Sequence, residues 1–160
     1  MFGHRMKQKN RGFTIIELMT TIALLAIISA LAVPSIGNLM RSNKLTAASN
    51  ELIASISIAR SEAIKRKADV TLEPVGSTWA DGWRVVSGAE TINESNPIDS
   101  KFKASTKADK GSVTFKPNGY ASEINPWGNG DGVKFCDGKG KAKIITMNTA
   151  GSITVTDSTC

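Results

Sequence analysis

The stretch RGFTIIELMTTIALLAIISALAVPS, residues 11–35, decides how the rest of this 160-residue chain is read. Its central 21 residues, Phe13 to Val33, carry a single charge, on Glu17. At about 1.5 Å per residue a helix of that length spans about 31 Å, the hydrocarbon thickness of a bilayer. Residues 1–12 hold four basic side chains, Arg5, Lys7, Lys9 and Arg11, and no acid. The positive-inside rule then keeps this leader in the cytoplasm and carries everything after Pro34 across the membrane. The soluble part is expected to be periplasmic or extracellular.

Two processing routes suit such a segment. In one it is a secretory signal peptide: a basic start, an apolar run from Leu18 to Ile28, and a small-x-small site at Ala30-Leu31-Ala32, cut after Ala32. In the other the cut falls between Gly12 and Phe13, and the apolar helix is retained. Glu17 favours the second route. A carboxylate inside an apolar membrane segment is expensive, and such groups persist where they are paired and functional. Cutting after Gly12 creates an α-amino group on Phe13, about one helical turn from Glu17. A neighbouring chain packed in parallel with an axial shift can set its ammonium against this carboxylate.

The formal charge is +6, and its location matters more than its size. Without residues 1–12 it falls to +2. Residues 34–67 carry +4, Glu17 carries −1, and residues 68–160, with ten basic and eleven acidic side chains, carry −1. This is a nearly neutral head on a basic helical stalk. Catalytic chemistry is restricted further, because the single histidine, His4, lies in the leader. A processed chain has no histidine for a Ser-His-Asp triad or a histidine metal site.

After the apolar segment, Pro34 and Gly37 are expected to kink or loosen the helix, since proline lacks the amide donor and glycine adds backbone freedom. An amphipathic pattern then continues to about Lys67. Leu45, Ala48, Leu52, Ile56, Ala59 and Ala63 recur every three or four residues, with Asn43, Asn50, Ser57 and Ser61 on the opposite side. Glu62 and Arg66 can pair across one turn. Residues 68–160 read as short strands: Val70 to Glu73, Trp83 to Val86, Ser112 to Lys116, Val133 to Cys136, Lys143 to Met147 and Ser152 to Thr156. Turns fall at Asp81-Gly82, Asn118-Gly119, Asp131-Gly132, Asp137-Gly138 and Ala150-Gly151. Ser87 to Lys110 reads as a long surface loop with room for one short edge strand.

The N-terminal string closely resembles that of type IV pilins and type II secretion pseudopilins. The resemblance implies cleavage by a prepilin peptidase after Gly12, N-methylation of Phe13, an assembly role for Glu17 and a helix kink at Pro34. In the head, IARSEAIKRKADVTL, WADGWRVV, GSVTFKPNGYA and VKFCDGKGKAKIITMNTAGSITV, with the following Cys160, resemble the GspH/FimT group, which includes FimU-like minor pilins. The implied fold is α+β: a long N-terminal helix, half membrane-spanning (13–33) and half amphipathic (34–67), packed on an antiparallel β-sheet head (68–160). The implied role is structural and non-enzymatic. A minor pilin near the tip of a type IV pilus, serving twitching motility or adhesion, is expected. The alternatives are a type II secretion minor pseudopilin, a DNA-binding pilin for transformation, and a secreted enzyme behind an ordinary signal peptide. Implied partners are other pilins through the helix, the peptidase and an inner-membrane assembly platform. The expected location is the inner membrane and then the fibre.

Several residues invite other readings. Cys136 and Cys160 are the only cysteines, and outside the cytoplasm such a pair is most simply one disulfide, with two free thiols as the alternative. Lys139, Lys141 and Lys143 alternate and would line one face of a strand, where a weak DNA contact would use them. On a hairpin edge they more simply prevent sheet-to-sheet association. A looser group is Lys101, Lys103, Lys107 and Lys110. DNA-binding relatives use a glycine-arginine pair near the C-terminus, but here Ser152 follows Gly151, which disfavours DNA binding. Trp79, Trp83 and Trp127 are assigned to the core over a stacking surface. Asn129 and Asp131 offer oxygen atoms to calcium, but their spacing is that of a turn and not of an EF-hand loop. GKGKAK lacks the spacing of a phosphate loop, and no cofactor or metal is expected.

Overall fold

A computed structural model describes residues 12–106, 111–124, 126–128 and 132–160, with 33–35 by backbone alone. Helix α1 runs from Ile15 to Arg66 and is helical through Pro34 and Gly37. The chain divides into two compact units after Leu39.

In the first unit α1 is rich in Leu, Ala and Ile, and its large apolar side chains point outward. Three of its hydroxyls are satisfied within the helix. Thr20 Oγ1 donates to the Glu17 carbonyl at 2.9 Å, Thr21 Oγ1 to Leu18 at 2.8 Å, and Ser29 Oγ to Leu25 at 2.7 Å. No donor on these side chains is left unpaired, as an apolar medium requires.

In the second unit, starting at Met40, α1 buries Leu45, Leu52, Ile56, Ala59 and Ala63 as expected, but the row continues through Ser49 and not Ala48. The buried spacing is thus a strict alternation of four and three. Ser49 is tolerated there because its hydroxyl donates to the Leu45 carbonyl at 2.9 Å. Asn43, Asn50, Ser57 and Ser61 are exposed, as their spacing requires. The helix stops where Lys67 turns into the left-handed region, φ 52°. Lys65 and Arg66 occupy the last turn, where the negative end of the helix dipole favours cations.

Eight strands follow: β1 Val70–Pro74, β2 Trp83–Ser87, β3 Glu90–Glu94, β4 Lys103–Thr106, β5 Val113–Phe115, β6 Val133–Cys136, β7 Lys141–Met147 and β8 Ile153–Thr159. They form two antiparallel four-stranded sheets, in the orders β3-β2-β1-β5 and β4-β6-β7-β8. The head is therefore two sheets and not one.

The segment expected as a long loop, 87–110, departs most from the sequence reading. It contributes an edge strand to each sheet and buries Phe102 and Ala104. β3 carries one apolar residue, Ile92, and is a strand because its backbone pairs with β2, which no side-chain pattern announces. β7 begins two residues before the expected Lys143, and β8 runs to Thr159 and not Thr156, through lysine and hydroxyl residues held by the ladder. β5 keeps only Val113 to Phe115 of its expected five residues.

The core gathers helix and sheets around aromatic side chains. Trp79 lies edge-on to Trp127 with ring centres 5.4 Å apart, and Trp83 sits 5.9 Å from Phe135. Trp83 Nε1 donates to Ser55 Oγ at 2.9 Å, fixing α1 to β2 through a buried hydrogen bond. Gly132 makes a close approach: a Cβ there would collide with the Ile145 carbonyl, so only glycine lets β6 start beside β7.

Candidate assembly and processing site

Gly12, Phe13 and Thr14 precede α1 in non-helical chain. Thr14 sets the helix start. Its Oγ1 accepts the Glu17 amide at 3.2 Å and its carbonyl accepts the Leu18 amide at 3.1 Å. This satisfies an amide that a helix start otherwise leaves bare. The Gly12–Phe13 bond thus lies outside the helix. Thr14's capping place was legible as Thr-x-x-Glu, a spacing the sequence reading passed over.

Glu17 stands in the first turn, near the positive end of the helix dipole. It is exposed, and no basic side chain among the described residues pairs with it. Phe13, Ile15, Ile22, Leu25, Ile28 and Leu31 around and beyond it are all more than half exposed in the single chain. Such a surface requires lipid or other helices around it. The helix is long and apolar enough to cross a membrane.

In the head, Cys136 and Cys160 form a disulfide with Cα atoms 5.9 Å apart, tying the end of β8 to β6. Next to it the Asp137-Gly138 turn is built on the buried Asp137. Its Oδ1 accepts the Lys139 amide at 2.7 Å and the Lys141 amide at 3.0 Å, and its carbonyl accepts Arg41 Nη1 at 3.3 Å.

Lys141 and Lys143 share one face of β7, as their alternation requires, but Lys139 is not on the strand. Lys139 lies in the turn, Lys141 opens β7, and Lys143 is paired with Asp157 at 2.7 Å. Trp79, Trp83 and Trp127 are buried and so form no stacking surface. Asn129, Asp131, Lys107 and Lys110 lie outside the described residues. Among those described, no cluster of His, Cys, Asp or Glu is suited to a metal ion.

The expected Glu62–Arg66 pair forms at 2.7 Å, and Arg66 also reaches Glu90 at 2.6 Å. Hydrogen bonds from Arg66, then Lys65, hold Glu62 below its ordinary value, and Arg66 does the same to Glu90. Glu90, then Glu62, raise Arg66 in turn. Asp99 is lowered by the Lys44 ammonium and then by the Lys101 amide. This arrangement joins elements and presents no nucleophile with its base.

The family profile described as type II transport protein GspH matches residues 48–151, more than half of the chain, and that of the prokaryotic N-terminal methylation motif matches residues 7–33. No curated protein matches. Two crystal forms of the type IV minor pilin FimU from Pseudomonas aeruginosa share the fold. The first, at TM-score 0.62 and 21% identity, covers 74% of this chain and 92% of that one. The second, at TM-score 0.57 and 22% identity, covers 70% and 92%. With its N-terminal methylation motif and pilin fold, the chain belongs to the GspH family of pilins and pseudopilins, whose members are structural and not enzymes.

Proposed function

We propose that this chain is a minor pilin of a type IV pilus, an adaptor-like subunit near the tip. The observation that carries the reading is one helix that joins a membrane-length apolar segment, with Glu17 unpaired in its first turn, to a head of the GspH family. On this reading the chain sits in the inner membrane with its head in the periplasm. Prepilin peptidase removes residues 1–12, Phe13 is N-methylated, and Glu17 neutralises the N-terminal ammonium of a neighbouring subunit as the helix packs into the fibre. Pro34 and Gly37 let the helix bend during that packing.

Glu17→Ala is expected to leave cleavage intact, giving a chain that starts at Phe13 by mass, while sharply lowering its amount in sheared filaments. Unchanged incorporation overturns the role of Glu17, and a chain starting at Val33 overturns the pilin reading itself. The second reading, a type II secretion minor pseudopilin, is supported by the description of the family profile. Deleting one filament system at a time separates the two, since the subunit crosslinks only into its own fibre. DNA binding is not favoured: Lys143 is neutralised by Asp157, and Lys139 lies in the turn, off the strand that Lys141 and Lys143 share.

A further inference from the structure

Four strands form the edges of the two sheets, and three of them are guarded. β5 is three residues long, and its outer side is taken by the segment after it, with Ser122 N donating to the Thr114 carbonyl and Lys116 N to that of Tyr120, both at 2.8 Å. β3 is bulged against β2 between Val85 and Val86 and begins and ends in glutamate. β4 is four residues long and begins with Lys103. These are the usual devices that stop an edge from pairing with another chain.

β8, Ile153 to Thr159, has no bulge, is not short and carries no charge at either end. It is seven residues long, pairs with β7 in unbroken register, and contains no proline and no lysine. Its one charge, Asp157, pairs with Lys143 on β7 but leaves its side chain 85% exposed. The Cys136–Cys160 disulfide and the Cys160 amide, which donates to the Gly140 carbonyl at 3.1 Å, hold its end in place. It is a long, fixed, open edge.

Which backbone groups face outward follows from the ladder. Ser152 accepts Asn148 N and Cys160 donates to Gly140, so the even-numbered residues face β7. The amides and carbonyls of Ile153, Val155 and Asp157 face away, and among the described residues they have no backbone partner. The side chains of these residues alternate toward the core side, yet Val155 is 41% exposed and the Asp157 side chain 85%.

We propose that β8 receives an extended strand from a different filament subunit, which adds to the β4-β6-β7-β8 sheet by main-chain hydrogen bonding. This rests on the assembly role above. The docking chemistry follows from Ile153, Val155 and Asp157: the incoming strand presents two apolar residues and then a basic one. A second copy does not fit. Antiparallel self-pairing centred on Val155 sets Ile153 against Asp157, and centred on Thr156 it sets Val155 against Asp157. Parallel in-register pairing opposes the two aspartates.

The test uses the full chain in cells that assemble its filament. Val155→Pro removes an outward donor without touching the β7 ladder, and it is expected to lower incorporation at least tenfold while the Cys136–Cys160 disulfide and the cellular level persist. A photocrosslinking residue at Val155 in otherwise unaltered protein is expected to join a strand of another subunit. A crosslink to a second copy overturns the proposal. So does a full yield of Val155→Pro in filaments, or the absence of any Val155 crosslink in filaments that contain the protein. If unaltered protein never enters filaments, the assembly role fails instead.

Discussion

Leu25 and Leu52 stand on the same helix, yet Leu25 is 62% exposed and Leu52 is fully buried. Among the described residues, the first unit's part of α1 buries no side chain; it is apolar on all sides, and Thr20, Thr21 and Ser29 bond to its own carbonyls. The head's half buries the row that meets the sheets; its hydroxyls also bond to their own helix carbonyls, and Ser55 in addition accepts a bond from Trp83 on β2. Both are helices, for different reasons. One matches a solvent of lipid or other helices, and the other matches a surface folded from the same chain. Equivalent substitutions in the two halves are therefore expected to have unequal consequences.

The largest effect on the head is expected from its covalent tie. Cys136→Ser opens a loop closed over 24 residues of separation. In full-length protein in mild detergent, denaturant unfolding followed by tryptophan signal should show a loss of about 3.5 kcal/mol. Helix content of the first unit should not change. Leu52→Ala comes next, at about 3 kcal/mol for a fully buried leucine. Leu25→Ala in the same measurement should cost less than about 0.5 kcal/mol, while lowering recovery in sheared filaments. Equal losses in the two variants would show that the halves are not energetically distinct.

Ser55→Ala sharpens the comparison from the polar side. It leaves Trp83 Nε1 buried without its acceptor, at a cost of about 1.5 kcal/mol, whereas Ser29→Ala should leave head stability unchanged. The smallest effect is electrostatic. Glu62 and Glu90 are lowered from 4.5 in the folded head by Arg66. A carboxylate with a depressed folded value contributes stability that is fully present above its unfolded value and is lost as pH falls through the folded one. The unfolding midpoint should thus begin to drop below about pH 4.5, and less so in Glu90→Gln. Added salt should mimic part of that change, because the pairs are solvent-exposed.

The N-terminal helix, most of the stalk's buried row and the cysteine pair were legible without coordinates. Each rests on a local property: a run of apolar residues, a lone charge within it, a period near 3.6, or two thiols with no third. The stretch from Ser87 to Lys110 was not legible, because β3 and β4 owe their structure to partners distant in sequence. The same reason explains why Ser49, and not Ala48, enters the core. A serine that can bond to its own helix turn is as buriable as an alanine, and only the opposing sheet selects which of the two faces inward.

The candidate site divides in the same way. Glu17's unusual position was visible at once, since a carboxylate among apolar residues needs no fold to be conspicuous. Thr14's cap was written in its Thr-x-x-Glu spacing, whereas the Asp137 turn holding Arg41 and the reach of Arg66 to Glu90 required atoms in place. The amino-acid sequence by itself determined a helix suited to a membrane and a head able to carry one disulfide, because hydropathy and residue type act along the chain. Tertiary structure alone decided that the head has two sheets and that three of their edges are closed while β8 is open. Strand pairing is a contract between backbones far apart in sequence, and side-chain identity records it only faintly.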